Sequence, residues 1–184
     1  MRELTDDPVY RMLAEQYPDV LLDYVLLAAD GVPTDKAGNQ AAVIAALHAL
    51  DNRDRVGNLL VHPPMTVQPE KMNGYAESPE TLFSYAASGR CGGRSRISPP
   101  PWEMSYWEAY VSEPYPHSYG KAGFEAINAV LFPVQHRSQL RVYRWSGDFS
   151  NYFEQGKELF GTMLLSVSDP VLSRYVIIGS SLTD

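Results

Sequence analysis

Two apolar segments decide the predicted fold: Thr162-Met163-Leu164-Leu165-Ser166-Val167 and Arg174-Tyr175-Val176-Ile177-Ile178. Both are rich in β-branched or aromatic residues, which favour β-strands. Residues 106–111 and 140–145 have the same character. The sequence therefore predicts a mostly antiparallel β-sheet within residues 102–184.

One helix interrupts these predicted strands. Residues 119–131 place Phe124, Ile127 and Leu131 at helical spacing, and the pattern ends at Phe132-Pro133. A proline restricts the residue before it to extended conformations, so the helix should end there. We expect this helix to lie across the sheet and cover it.

Residues 1–60 predict three helices. Asp7-Pro8 offers an N-cap and a proline suited to a first helical turn. Residues 18–30 repeat apolar side chains at helical spacing, and Thr34 or Asp35 can cap a third helix that ends before the charged segment 51–55. The predicted class is α+β, in one domain spanning residues 1–184, with N-terminal helices packed against the sheet.

An irregular connector should link these two parts. Residues 61–101 are rich in proline and glycine, which deny the chain regular backbone hydrogen bonds. One short helix should start at Ser78-Pro79-Glu80. Residues 89–101 have the composition of an exposed loop.

The net charge of −7 sets the class of partner. A field of this sign repels phosphate backbones and anionic membranes and attracts basic proteins, so we expect no nucleic-acid or membrane binding. No apolar run is long enough to cross a bilayer, and residues 1–7 carry charges where a signal peptide would be apolar. The single cysteine, Cys91, excludes an internal disulfide. These features predict a cytoplasmic protein.

The sequence predicts neither a metal ion nor a cofactor. His48, His62, His117 and His136 stand apart, without the close spacing that metal ligation usually requires. The segment 92–96 combines glycine with arginine but lacks the strand, helix and Gly-Lys-Ser/Thr context of a phosphate-binding loop. We expect it to be a solvated loop.

The segment 145–158 is the most unusual part of the chain, because aromatic and carboxylate side chains alternate between two predicted strands. Asp148, Glu154 and Glu158 could supply a carboxylate pair for acid and base catalysis, since Glu154 and Glu158 are one helical turn apart if that part is helical. Alternatively, the aromatic rings anchor a long connection while the carboxylates lie in solvent. The second interpretation is the more common one for such spacing.

Surface aromatics offer a third use for this segment. Tyrosine and tryptophan bury a large area with few rotatable bonds and keep a polar group, so they often anchor protein interfaces. Together with the acidic charge, this favours a surface for a basic partner. The residues expected to contact that partner are Trp145, Asp148, Tyr152, Glu154 and Glu158.

The order of several motifs resembles a group of small bacterial cytosolic proteins associated with toxin and immunity loci. The motifs are residues 107–111, residues 119–133, Trp145-Ser146-x-Asp148-x-Ser150-Asn151-Tyr152-Phe153-x-x-Gly156-x-Glu158, and Val176-Ile177-Ile178-Gly179. The likeness covers only the chain from Trp107 onward. It implies a bacterial origin, a shared β-rich half and an immunity-type function, and it implies no catalytic residue.

Three classes of function follow from these observations. The first is an immunity protein that neutralises a cognate basic toxin by direct contact, and it agrees with the acidity and the surplus of aromatics. The second is a small hydrolase-like enzyme, which would hold at least two of the three carboxylates in a deep pocket. The third is a structural or assembly subunit, which would expose a large apolar patch for self-association.

Overall fold

The computed structural model describes residues 1–57, 64–86, 104–111, 118–154 and 161–181, without the side chains of residues 54–57. Six strands in these ranges form one antiparallel sheet. They are β1 (Arg2–Glu3), β2 (Asp23–Ala28), β3 (Gly74–Glu77), β4 (Arg141–Trp145), β5 (Thr162–Asp169) and β6 (Arg174–Ser181). Their order across the sheet is β1-β2-β6-β5-β4-β3.

Four α-helices accompany the sheet in the described residues: α1 (Pro8–Gln16), α2 (Lys36–Gly57), α3 (Tyr106–Val111) and α4 (Gly120–Leu131). Short 3-10 helices span Pro69–Lys71, Pro79–Phe83, Val134–Gln139 and Asn151–Phe153. The predicted α+β class is confirmed, and so is the pairing of β4 with β5. The segments 58–63 and 87–103, which include the whole predicted loop 89–101 with Cys91, lie outside the described residues.

The sheet separates two apolar layers. Strand residues alternate between the two faces, so Leu165 and Val176 point to one face while Leu164 and Ile177 point to the other. Helices α1, α3 and α4 cover the first face, which we call face 1. Helix α2 and residues 149–153 cover the second, face 2. The central strands β5 and β6 are consequently buried on both sides.

The predicted helix ends agree with the structure at several positions. The Asp7 carboxylate accepts a hydrogen bond from the Val9 amide at 3.0 Å and caps α1, with Pro8 in the first turn. The Asp35 carboxylate accepts from the Gly38 amide at 2.9 Å at the start of α2. The predicted end of α2 was wrong, because the helix continues through the charged segment 51–55 to Gly57.

The helix predicted within residues 18–30 is wrong: this segment contains β2. Residues Tyr24–Leu27 are all buried, because β2 lies between β1 and β6 and is covered on both faces. A short apolar run that is buried on both sides shows no alternation of polar and apolar residues, so its spacing cannot separate a strand from a helix. The sheet therefore includes N-terminal strands.

The strand predicted at Tyr106–Val111 is also wrong, because these residues form α3. Its start is a reciprocal capping box in which the Glu108 amide donates to Ser105 Oγ at 3.1 Å. The Ser105 amide in turn donates to the Glu108 carboxylate at 2.8 Å. Tyr106, Ala109 and Tyr110 lie on the buried side at helical spacing.

The predicted covering helix is confirmed as α4. Phe124, Ile127 and Leu131 pack in the core on face 1. At the end of α4, the largely buried Arg174 of β6 donates from Nη2 to the Leu131 carbonyl at 2.7 Å and from Nη1 to the Asp7 carboxylate at 3.4 Å. One strand residue thus joins the end of α4 to the start of α1.

Candidate functional site

The aromatic rings of the segment 145–154 hold it against the sheet. The side chain of Trp145 is only 2% exposed, and its Nε1 donates to Ser166 Oγ at 2.9 Å on face 2. Phe149 and Phe153 are equally buried and contact each other with ring centroids 5.6 Å apart. The prediction that Trp145 offers its ring to a partner needs correction, because the ring is part of the core.

Residues 64–68, which belong to the predicted connector, hold this segment in place through hydrogen bonds. The Asn151 side chain accepts a hydrogen bond from the Thr66 amide at 2.8 Å and donates to the Pro64 carbonyl at 3.2 Å. The Gln68 amide donates to the Phe149 carbonyl at 2.8 Å. These bonds fix the backbone between Asp148 and Glu154, whose carboxylates are exposed.

Asp148 and Glu154 are exposed at the two ends of this anchored stretch. Ser150 caps the short helix between them by accepting from the Tyr152 amide at 3.2 Å. Glu158, the third predicted carboxylate, lies outside the described residues. The segment therefore exposes Asp148 and Glu154 to solvent while the rings between them are buried. The packing of those rings fixes the positions of the two carboxylates.

Tyr152 is half-buried and connects this segment to the first half of the chain. Its hydroxyl donates to the Asp23 carboxylate at 2.5 Å, at the start of β2. The ring lies over Gly179 of β6, where a Cβ atom would come within 2.5 Å of the hydroxyl oxygen. Asp23 was not predicted as a site residue, because its contact with Tyr152 depends on the pairing of β2 with β6.

A separate cleft of about 750 Å³ lies beside β1 and the C-terminal half of α2. It is lined by Met1, Glu3, Leu27, Ala45, His48, Ala49, Asn52 and Arg53. None of these residues belongs to the segment 145–154, so this cleft is not the carboxylate pocket that the hydrolase hypothesis requires. His48, to which the sequence gave no role, is exposed on its rim.

Tyr10 lies at the edge of the sheet, where its hydroxyl is hydrogen-bonded to two residues of the cleft lining, Glu3 and Arg53. Strand β1 ends at Glu3, and beyond it the Tyr10 hydroxyl accepts a hydrogen bond from the Leu26 amide of β2 at 2.8 Å. Arg53 Nη2 donates to the same hydroxyl at 3.1 Å and also to the Glu3 carboxylate. Burial raises the pKa of Tyr10, so the hydroxyl keeps its proton.

Four exposed apolar side chains lie near the start of β6 and the end of α4. Val130 and Val134 lie at and after the end of α4, while Val171 and Leu172 lie in the turn between β5 and β6. The buried Asp169 carboxylate fixes that turn by accepting from the Val171 amide at 2.9 Å and the Leu172 amide at 3.1 Å. If the protein were an assembly subunit, these four residues would be the candidates for its self-association contact.

Comparisons with protein-family models, with curated proteins and with solved structures found no match to this chain. The helices in the described ranges include none with an apolar stretch of membrane-spanning length. Within the same ranges, no group of three or more histidine, cysteine, aspartate or glutamate side chains could hold a metal ion.

Proposed function

We propose that this protein is a cytoplasmic immunity protein that neutralises a basic toxin by direct contact, through the surface that carries Asp148, Tyr152 and Glu154. The observation that best supports this proposal is that the exposed charges of that surface lie on a rigid part of the fold. Two exposed carboxylates flank a stretch whose rings are fixed in the core and whose backbone is bound to residues 64–68. Charges on a rigid base lose little conformational entropy when a partner binds.

The net charge of −7 supports a basic partner, because electrostatic attraction speeds encounter without adding much affinity. Affinity has to come from groups that become desolvated in the complex. Tyr152 is suited to this role, since its ring is half-buried and its hydroxyl is held by Asp23. A side chain already fixed in the free protein needs little reorganisation on binding.

The test is co-expression with the product of the adjacent gene, followed by a pull-down and a growth-rescue assay. We expect the wild-type protein to form a stable complex and to rescue growth. A wild-type protein that neither binds nor rescues would remove the immunity function.

Charge reversal then tests the surface. We expect the double variant Asp148→Lys/Glu154→Lys to associate more slowly with the toxin and to show a weaker dependence on salt. Asp6→Lys/Glu15→Lys is the matched control, because it makes the same change in net charge at exposed positions next to and within α1, which packs on face 1. Equal effects of the two double variants would show that total charge matters and that this surface does not.

Tyr152→Ala should mainly speed dissociation, by a factor that corresponds to about 2 kcal/mol or more if the ring is a hot spot. Tyr152→Phe keeps the ring and loses only the hydroxyl, so it should retain most of the binding. Surface plasmon resonance separates the two rate constants. Unchanged dissociation of the Tyr152→Ala complex would exclude this ring from the interface.

A further inference from the structure

The cleft between β1 and α2 exists because two small side chains face the sheet edge. Ala45 and Ala49 are one helical turn apart on α2, and Leu27 of β2 lies on the same lining. Longer side chains at these two positions would fill the space above Leu27. The resulting volume of about 750 Å³ lies within the range of small-molecule sites, which is roughly 300–1,000 Å³.

Polar donors stand at one end of this apolar floor. Only one nitrogen of the Arg53 guanidinium is used within the described residues, because Nη2 donates both to Glu3 and to Tyr10. Its Nη1 and Nε donate to no other described residue, and its side chain is 39% exposed. Asn52 and His48, one turn apart on α2, expose an amide and an imidazole on the same wall.

We propose that this cleft binds a small amphipathic carboxylate. The apolar body of the ligand lies on Ala45 and Ala49, above the nearly buried Leu27. The carboxylate accepts hydrogen bonds from Arg53 and Asn52. A guanidinium with free donors suits a planar carboxylate, and the bond is charge-assisted. The site does not depend on the toxin-binding function proposed above, since it shares no residue with that surface.

The same geometry disfavours a phosphate. Glu3 already binds the guanidinium of Arg53, so a second anion meets a neighbouring carboxylate as well as the arginine. A single negative charge is tolerated more easily than the double charge of a phosphate. An apolar floor also contributes nothing to the binding of inorganic phosphate, whereas it stabilises the body of a carboxylic acid.

The test is an NMR titration of the intact protein with hexanoate and 4-phenylbutyrate, each beside its neutral amide, and with inorganic phosphate. We expect the acids to shift the amide signals of Leu27, Ala45 and Ala49 and to bind about tenfold more tightly than the amides, as one charge-assisted hydrogen bond allows. Acids that produce no shifts, or phosphate that binds as well as the acids, would overturn the proposal.

Two variants test separately the apolar surface of the cleft and the hydrogen-bond donors at its end. Ala49→Leu should abolish binding of both acids, whereas Ala41→Leu, the same change at an exposed position two turns earlier on α2, should leave it unchanged. Arg53→Gln should remove the preference for acid over amide while the amide still binds. Thermal melting of each variant confirms folding. Full acid binding by folded Ala49→Leu, or an unchanged preference in folded Arg53→Gln, would place the ligand elsewhere.

Discussion

Two glycines on face 2 of the sheet receive the aromatic rings of the segment 145–154. A Cβ atom at Gly74 would come within 2.5–2.9 Å of three ring atoms of Trp145. At Gly179 it would meet the hydroxyl oxygen of Tyr152 at 2.5 Å. The absence of a side chain at Gly74 in β3 and at Gly179 in β6 therefore decides how closely this segment approaches the sheet.

We expect Gly74→Ala to lower the free energy of unfolding by about 1–3 kcal/mol, the usual range for overpacking a core. Trp145 is buried and bonded to Ser166, so its ring cannot move aside. Gly179→Ala should cost less, because it meets only the end of the half-buried Tyr152. Urea denaturation measures both, and Gly179→Ala in a Tyr152→Phe background is the control. A cost for Gly74→Ala no larger than that for Gly179→Ala would contradict this account.

At the scale of elements, the edge of β2 shows how two helical layers are joined. Tyr10 comes from α1 on face 1, and Arg53 comes from α2 on face 2. Both reach the Glu3 carboxylate at the end of β1, and the ring of Tyr10 lies 5.0 Å from the Arg53 guanidinium carbon. Strand β1 ends too early to accept the hydrogen bond of the Leu26 amide, and the Tyr10 hydroxyl accepts it instead.

Tyr10→Phe removes this hydroxyl and leaves the amide of the buried Leu26 without its acceptor. We expect a loss of about 1–3 kcal/mol in the free energy of unfolding, the cost of a buried unsatisfied donor. Tyr85→Phe is a matched control, because that hydroxyl bonds to the exposed Glu125 at the surface and should cost much less. Hydrogen exchange of the Leu26 amide should accelerate only in Tyr10→Phe. Equal stability losses in the two variants would show that the Leu26 bond contributes nothing special.

The sequence was most informative where local chemistry decides the structure. The Asp7-Pro8 cap, the apolar face of α4 and the strands β4, β5 and β6 were all predicted from short-range patterns. The capping box at Ser105 and Glu108 was also local, and it would have corrected the strand predicted at 106–111. At this segment the capping box outweighs the β-propensity of the aromatic and β-branched residues.

Non-local pairing was beyond the sequence. Strand β2 is separated from its partner β6 by most of the chain, and nothing in the apolar run 24–27 selects that partner. For the candidate site, the alternation of rings and carboxylates was visible in the sequence. The bond from Tyr152 to Asp23 depends on the pairing of β2 with β6, and Trp145 is buried where β4 pairs with β3. The cleft also depends on non-local contacts, since Glu3 of β1, Leu27 of β2 and Arg53 of α2 come from three elements.

At the scale of the whole molecule, face 1 is built around buried tyrosines as well as aliphatic side chains. The hydroxyls of Tyr24 in β2 and Tyr106 in α3 are 2.9 Å apart in the core, and Tyr106 packs on Phe124 of α4. Burial raises the pKa of both tyrosines well above 10, because a phenolate is poorly solvated there. Burial also raises the pKa of Tyr110.

These raised pKa values predict that the fold loses stability at alkaline pH. In the unfolded chain tyrosine loses its proton near pH 10, whereas in the folded protein Tyr24 and Tyr106 keep theirs. Above about pH 10 the folded state therefore binds more protons than the unfolded state, so the free energy of unfolding falls as pH rises. The stabilisation is complete below pH 10 and is lost as the pH rises toward the folded pKa values.

Each such tyrosine should contribute up to about 1.4 kcal/mol per pH unit to this fall. Urea denaturation between about pH 8 and pH 11.5 measures the slope, and ultraviolet absorbance of tyrosinate shows whether ionisation of the buried rings coincides with unfolding. Tyr24→Phe removes one raised group, so it should lower stability at pH 8, where the hydroxyl of Tyr106 loses its partner, but give a shallower slope above pH 10. A slope identical to that of the wild type would mean that Tyr24 does not stay protonated in the folded core, and that the alkaline sensitivity of the fold has another origin.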